Sequence, residues 1–139
     1  MYGALDISAS GMIAQRTRLT AISANIANRT SVTADGTPYR AKEVFFAPGD
    51  PSAKTADGRN LGVHVSTIAD RDEPFNYRND PNHPNALKSG PMAGYVMESN
   101  VNPVVEQINA LEAARSYEAN AVAAETTKAM YAQALRLLA

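Results

Sequence analysis

The sequence of 139 residues contains no cysteine and no tryptophan, and aromatic side chains make up only 6% of it. The absence of cysteine excludes disulfides, thiol catalysis and thiolate metal sites. The scarcity of aromatic side chains, together with many alanines near the C-terminus, predicts thin helix-on-helix packing instead of a thick core. The length suits one ordinary domain, or one small domain with an extension.

Strong charge and long apolar runs are also lacking. The chain has 13 basic and 14 acidic residues, a net charge of −1, and no basic block, so nucleic acid is not an expected partner. No stretch approaches the ~20 consecutive apolar residues of a membrane span, so we expect none. Residues 1–6 have neither the basic region nor the apolar core of a cleaved secretory signal. On general grounds these features predict a cytoplasmic protein.

Candidate catalytic and metal-binding residues are sparse. His64 and His83 lie far apart in the sequence, each beside no spaced set of ligands. Asp80 with His83 could suggest a metal site, but the chemistry of a turn explains this stretch better. Asp72 and Glu73 form an acidic pair, as a glycosidase needs, but adjacent strand residues point to opposite faces. We therefore expect no catalytic residue, no metal and no cofactor.

A long helix is predicted for the C-terminal stretch from Val101 to Leu138. Asn102 is a suitable N-cap, and Pro103 suits the first helical position, where its missing N–H costs nothing. At ~1.5 Å per residue such a helix spans roughly 55 Å, too long for a compact domain of this chain. Its predicted apolar stripe comprises Val104, Ile108, Leu111, Tyr117, Ala121, Ala124, Tyr131, Leu135 and Leu138.

A second helix is predicted over residues 4–28. Its stripe of residues spaced by seven, with Ile22 between them, resembles a coiled-coil seam and comprises Leu5, Met12, Leu19 and Ile26. Paired antiparallel, the two helices would leave about 20 Å of the longer seam without an intramolecular partner. An exposed apolar stripe of that length indicates a binding surface. We expect the stripes of both helices to be assembly interfaces.

The middle of the chain, residues 31–100, differs from both ends. It carries all 8 prolines but Pro103, and its alternating segments predict short strands at 39–46, 61–68, 75–78 and 94–97. A small, polar loop is predicted at 50–60. The predicted fold is α+β: an antiparallel, coiled-coil-like helical domain (1–30 and 101–139) with a small antiparallel β domain (31–100) inserted in it.

Several short motifs together resemble the flagellar rod and hook axial proteins of bacteria. The first runs from Ser23 to Thr30 and continues from Asp35 to Lys42; the second runs from Gly94 to Asn102, and residues 80–84 match the middle of the family. From composition alone the first asparagines and threonine look like helix-end and turn residues. The motif positions are Asn25, Asn28, Thr30, Pro38, Tyr39, Arg40, Gly94, Tyr95, Asn100 and Asn102.

The resemblance implies a non-enzymatic structural subunit of the flagellar basal body, and its Pro38-Tyr39-Arg40 spacing is closest to the proximal rod. It implies export by the flagellar type III apparatus without a cleaved signal, and assembly in the periplasm. The implied partners are further copies of the chain, other rod subunits and rod–membrane-ring junction proteins. The sequence departs from the family at residues 85–93 and at Pro103.

Three alternative functions can be compared with the sequence. The chain could be a different rod or junction protein of the same axial family, against which the motif spacing argues. A peptidoglycan hydrolase would need two carboxyl groups roughly 5 to 9.5 Å apart across a cleft, and the sequence offers no good pair. A soluble two-helix adaptor or chaperone would be helical and monodisperse when purified.

Overall fold

The computed structural model describes residues 3–49, 51 and 61–138, and within them the predicted order of helix, four strands and helix is confirmed. The elements are α1 (Gly3–Ala27), β1 (Lys42–Pro48), β2 (Val63–Asp70), β3 (Asn76–Asn79), β4 (Tyr95–Glu98) and α2 (Pro103–Leu138). The fold is therefore α+β, as predicted. The loop predicted at 50–60 lies outside the described residues except for Pro51.

The start of α2 is capped as the sequence predicts. The side-chain oxygen of Asn102 accepts hydrogen bonds from the backbone N–H groups of Val104 and Val105, at 3.1 and 3.4 Å. Pro103 is the first helical residue. These contacts satisfy two of the amide groups that the first turn leaves without an intrahelical partner, so the helix begins at a defined position.

The two helices pack side by side and antiparallel. Asn25 near the end of α1 lies 3.0 Å from Glu106 at the start of α2, and Arg18 lies 3.2 Å from Glu112 farther along. Continued at the same register, α2 extends roughly ten residues beyond the start of α1, a length of about 15 Å at ~1.5 Å per residue. The predicted overhang is present and somewhat shorter than the predicted length.

Small and polar residues form the contact between the helices. The buried residues of α1 are Ser8, Gly11, Ala14, Ile22 and Asn25. On α2 the buried residues are Glu106 and Ala113, each with no exposed surface. A Cβ atom on Gly11 would lie 2.7 Å from the side-chain oxygen of Asn120, so glycine permits a close approach of the helices at this point.

The predicted apolar stripe of α2 does not form this contact. Val104, Ile108 and Leu111 are 64, 62 and 55% exposed. The reason is the six-residue step from Leu111 to Tyr117, which turns about 240° around a helix of 3.6 residues per turn. The predicted stripe therefore passes from the side of α2 opposite α1 to the side near it.

The predicted stripe of α1 likewise does not lie at the centre of the contact between α1 and α2. Leu5, Met12 and Leu19 are partly exposed and Ile26 is exposed, whereas Ile22 is buried. The row of residues spaced by seven lies about a quarter turn from the buried face. Sequence patterning favoured the larger side chains, but the smaller ones on the neighbouring face allow the two backbones to approach.

The strands form two separate antiparallel pairs, β1 with β2 and β3 with β4. The β1–β2 hairpin contains a bulge, since Phe45 pairs with Thr67 and Phe46 with Val65. This hairpin lies along α1, where the Ser10 hydroxyl accepts a 3.1 Å hydrogen bond from the backbone N–H of Val63. It covers one side of α1, and α2 covers another.

Candidate functional site

Five segments of the chain meet where α1 ends and α2 begins. Each contributes one side chain to a network that we call the polar junction: Asn25, Tyr39, Arg71, Asn100 and Glu106. Asn25 and Glu106 have no exposed surface and are the largest completely buried side chains among the described residues. Such buried polar groups are tolerated when their hydrogen bonds are satisfied, so the network's partners define what it does.

Asn25 uses the full hydrogen-bonding capacity of its amide. Its nitrogen donates to the backbone carbonyl of Lys42 at 2.9 Å and to the Glu106 carboxylate at 3.0 Å. Its oxygen accepts from the backbone N–H of Lys42 at 2.8 Å and from the hydroxyl of Tyr39 at 3.1 Å. One side chain therefore joins α1, the segment leading into β1, and α2.

Glu106 forms a buried ion pair with Arg71, which follows β2. The distance between Arg71 Nη2 and Glu106 Oε1 is 3.1 Å, and the two side chains are 15% and 1% exposed. Glu106 also lies in the first turn of α2, where the helix dipole favours a negative charge. Removing one partner would leave a buried charge without compensation, so this pair holds the end of the β1–β2 hairpin against α2.

Asn100 fixes the loop that enters α2. Its side-chain oxygen accepts from the backbone N–H of Ala41 at 2.8 Å, and its nitrogen donates to the carbonyls of Arg71 and Glu73 at 3.3 and 3.2 Å. Arg40 donates to the same two carbonyls, each at 3.1 Å. The guanidinium of Arg40 also stands 4.4 Å from the centre of the Phe75 ring, within the range of a cation–π contact.

Tyr39 lies at the edge of the polar junction, and its pKa is raised. Burial raises its pKa above the ordinary value of 10.0, the positive charge of Lys42 lowers it, and the charges of Asp70 and Glu106 raise it. Since the folded state favours the protonated phenol, its contribution to stability is present below pH ~10 and is lost as pH rises through the folded pKa.

We expect Tyr39→Phe to lower the free energy of unfolding at neutral pH by about 1 kcal/mol, because one hydrogen bond to Asn25 is lost. The variant should also lose less stability than the wild type above pH ~10. Urea unfolding across a pH series measures both effects, and the other tyrosines, common to both proteins, cancel in the comparison. Parallel pH profiles for the two proteins would contradict this role.

The structure brings together four of the residues predicted from the motifs: Asn25, Tyr39 and Asn100 in the polar junction, and Arg40 beside it, on the two carbonyls that Asn100 also binds. These residues lie up to 75 positions apart in the sequence, and the antiparallel helix pair and the hairpin bring them close together in space. Asn25 lies in the last turn of α1, as its composition suggested, and is in addition buried in the junction.

The other predicted motif residues lie outside the junction. Asn28 donates to the carbonyl of Ala24 at 2.9 Å and so ends α1, as its composition suggested. Pro38 is buried and forms an isolated bridge with Val32. The remaining four occupy a turn, a strand start and the helix cap: Thr30, Gly94, Tyr95 and Asn102.

The sequence places Glu106 in the first turn of the C-terminal helix, at the positive end of its dipole, but it predicts neither the partners of Glu106 nor any role for Arg71. A usable signal exists: Glu106, Ala113 and Asn120 are spaced by seven, which marks a second, polar face of α2. Arg71 gives no comparable signal, because its partner lies 35 residues away and on another element.

The described residues present no metal-binding cluster and no exposed acidic pair within the junction. Across residues 3–49, 51 and 61–138, no group of three or more histidine or acidic side chains could hold a metal ion. Asp72 and Glu73 are exposed, and the junction uses Glu73 only through its backbone carbonyl. Among the described helices, none is both long enough and apolar enough to cross a membrane.

Two exposed surfaces of the helix pair form a second candidate site. The outer face of α2 lies opposite α1 and comprises Val104, Ile108, Leu111, Arg115, Glu118 and Val122, all exposed. The free seam of α1 lies outside its contacts with α2 and the hairpin, and comprises partly exposed Leu5, Met12 and Leu19 with exposed Arg16 and Ile26. The overhang of α2 adds exposed Met130, Leu135 and Leu137. Exposed apolar surface of this extent is typical of association surfaces.

Comparison with known proteins gives a consistent result. Residues 5–32 match the family described as flagella basal body rod protein, and residues 92–137 match the flagellar basal body rod FlgEFG protein C-terminal family. Among curated proteins, the chain is similar to the flagellar basal-body rod protein FlgC of Borreliella burgdorferi, with 37% identity covering 99% of this chain and 97% of the relative.

Relatives from two other bacteria have similar identity and coverage. The FlgC proteins of Aquifex aeolicus and Salmonella typhimurium are 40% and 37% identical to the chain, covering 94% and 95% of it and 92% and 93% of their own lengths. The matches include both helices, the hairpin and the junction. The chain belongs to the FlgC family of flagellar basal-body rod proteins and is a structural subunit of the rod.

Proposed function

We propose that the chain builds the proximal part of the rod by polymerising through its terminal helices into an axial tube that transmits torque. The observation that carries this proposal is the distribution of polarity in the helix pair. Apart from Ile22, the buried residues of the pair are small or polar, whereas large apolar side chains such as Ile108 and Leu135 lie 62% and 66% exposed on the outside. A family of rod proteins offers neighbouring subunits to cover them.

The proposal assigns two domains. Residues 1–30 and 101–139 form the inner, tube-building domain, and residues 31–100 form the outer domain. The position of the β1–β2 hairpin supports this division, because it covers one side of α1 and leaves the outer face of α2 open. The predicted seams, from Leu5 to Ile26 and from Val104 to Leu138, remain the proposed assembly interfaces.

The proposed partners are further copies of the chain, other rod subunits and the proteins that join the rod to the membrane rings. We propose that the chain reaches the periplasm through the flagellar type III export apparatus, without a cleaved signal peptide. It acts without enzymatic activity, and no nucleic acid takes part in its assembly.

The test is to replace the chromosomal copy with a version carrying a small epitope in the stretch predicted as a loop, residues 50–60, and to isolate basal bodies. We expect the epitope at the proximal rod by immunoelectron microscopy, and loss of swimming when the copy is deleted. A motile deletion strain, with the tagged chain found only as a soluble monodisperse protein, would support an adaptor or chaperone instead.

A further inference from the structure

We propose that neighbouring copies join by packing the free seam of α1 in one copy against the outer face of α2 in a second copy, antiparallel, with Arg16 opposite Glu118. The inference rests on the proposed function and adds the identity and register of the contacting faces. The partner is a second copy of this chain.

The first argument is that the two faces are unoccupied within one copy. α1 contacts α2 through Gly11 and Asn25 and contacts the hairpin through Ser10. Its free seam lies outside both contacts. The outer face of α2 is on the side away from α1, as the exposure of Val104 and Ile108 shows. Among residues 3–49, 51 and 61–138, none covers the outer face of α2 or completes the cover of the free seam, so both faces offer surface to another molecule.

The second argument is the match in periodicity. Successive members of the free seam, such as Leu5, Met12 and Leu19, are seven residues apart, and on the outer face Ile108 and Val122 are separated by two such steps. Side chains repeating every 3.5 residues on average interdigitate along a shared seam when two helices pack with a small crossing angle. The two faces have the repeat that such packing requires.

The third argument is charge complementarity. Arg16 interrupts the free seam and Glu118 the outer face; both are exposed, and neither makes an ion pair with any described residue. Polar residues at seam positions commonly specify register. An antiparallel alignment that brings these two charges together also places Met12 opposite Val122 and Ile26 opposite Ile108.

A competing register aligns Arg16 with Glu125. It places Leu19 opposite Val122 but puts Ile26 opposite the charge of Arg115. That arrangement gives one pair of large apolar side chains where the register with Glu118 gives two. In the favoured register Arg115 lies opposite Leu19, where its aliphatic stem can cover leucine while the guanidinium reaches solvent.

The favoured register has a consequence for assembly. Within one copy Arg16 lies level with about residue 115, since Gly11 contacts Asn120 and Asn25 contacts Glu106. Moving to Glu118 shifts the second copy by three residues, about 4.5 Å along the axis at ~1.5 Å per residue. Two different faces joined with a shift form a heterologous contact, which propagates as an open helix.

Site-specific disulfide formation tests the inference, because the chain contains no cysteine. The full-length double variant Met12→Cys/Val122→Cys would be expressed from the chromosomal locus, and isolated basal bodies would be oxidised mildly. We expect a ladder of covalent multimers of this chain on a non-reducing gel, since a disulfide requires Cα atoms about 4.4–6.8 Å apart. Each single variant should give no ladder.

The controls separate this inference from the proposed function. The chain's presence in the basal bodies, scored on a reducing gel, tests the function alone. The chain present without a ladder would overturn the inference, as would a ladder from Met12→Cys/Ala129→Cys, which matches the register with Glu125. A dimer from either single variant, or a product with another rod protein, would also overturn it.

Discussion

Replacement of Asn25 by alanine is expected to lower the free energy of unfolding by about 3–5 kcal/mol, because each buried polar group left without its hydrogen bond costs about 1–3 kcal/mol. The substitution deprives the Glu106 carboxylate, the hydroxyl of Tyr39 and both backbone groups of Lys42 of a partner at once. Of these groups, the Glu106 carboxylate is completely buried. Urea unfolding of the purified chain, followed by circular dichroism, measures the effect.

Asn28→Ala is the matched control for this substitution. Asn28 is also an asparagine near the end of α1, but its side chain makes only local hydrogen bonds: it donates to the carbonyl of Ala24 and accepts from the exposed hydroxyl of Ser31 at 3.3 Å. Its loss should cost about 0.5–1.5 kcal/mol, as for one ordinary hydrogen bond, because the exposed Ser31 hydroxyl can bond to water instead. Equal effects at the two positions would show that the polar junction does not hold the helices together.

Ile108→Asp is expected to abolish rod assembly and swimming while leaving the fold of the subunit intact. The side chain is 62% exposed in one copy, so the subunit itself loses little. In the assembled rod the same position would be covered by a neighbour, and an unpaired carboxylate there carries a desolvation cost of several kcal/mol. Leu135→Asp, on the overhang, should have the same effect.

The measurement is the yield of rods in basal-body preparations, together with swimming in soft agar. Circular dichroism of the purified variant establishes that the fold survives. Ile68→Asp provides the control, because it makes the same substitution at a side chain 50% exposed on the hairpin. We expect Ile68→Asp to assemble. Normal rods with Ile108→Asp would exclude the outer face of α2 from the interface.

Local signals made the order of the elements predictable. Asn102 and Pro103 mark the start of α2 by their own chemistry, and the two valines of β2, Val63 and Val65, mark a strand by alternation. Each of these inferences needs only a few neighbouring residues. That is why the bounds of the helices and strands agree with the sequence to within a few positions.

The candidate site was predictable only in part, because its chemistry depends on distant residues. Asn25 and Asn100 could be singled out by their motifs, but their partners come from chain segments brought close only by folding. For a related reason, the stripe of α2 did not identify the face that packs on α1, and its role as an assembly interface stays a prediction. Large side chains mark an apolar face wherever it lies, and the face that packs within the subunit is marked instead by the small residues Gly11 and Ala113.

Small and polar residues dominate the contact between the two helices, and large apolar residues lie on the outer surface of the pair. This distribution has a further consequence. A single copy gains little hydrophobic free energy from folding, and the greater part becomes available only when neighbours cover its surface. The measured stability of the terminal helices should therefore rise with subunit concentration, by the mass action that links binding to folding. For this chain, contacts between subunits contribute more to stability than contacts within one subunit.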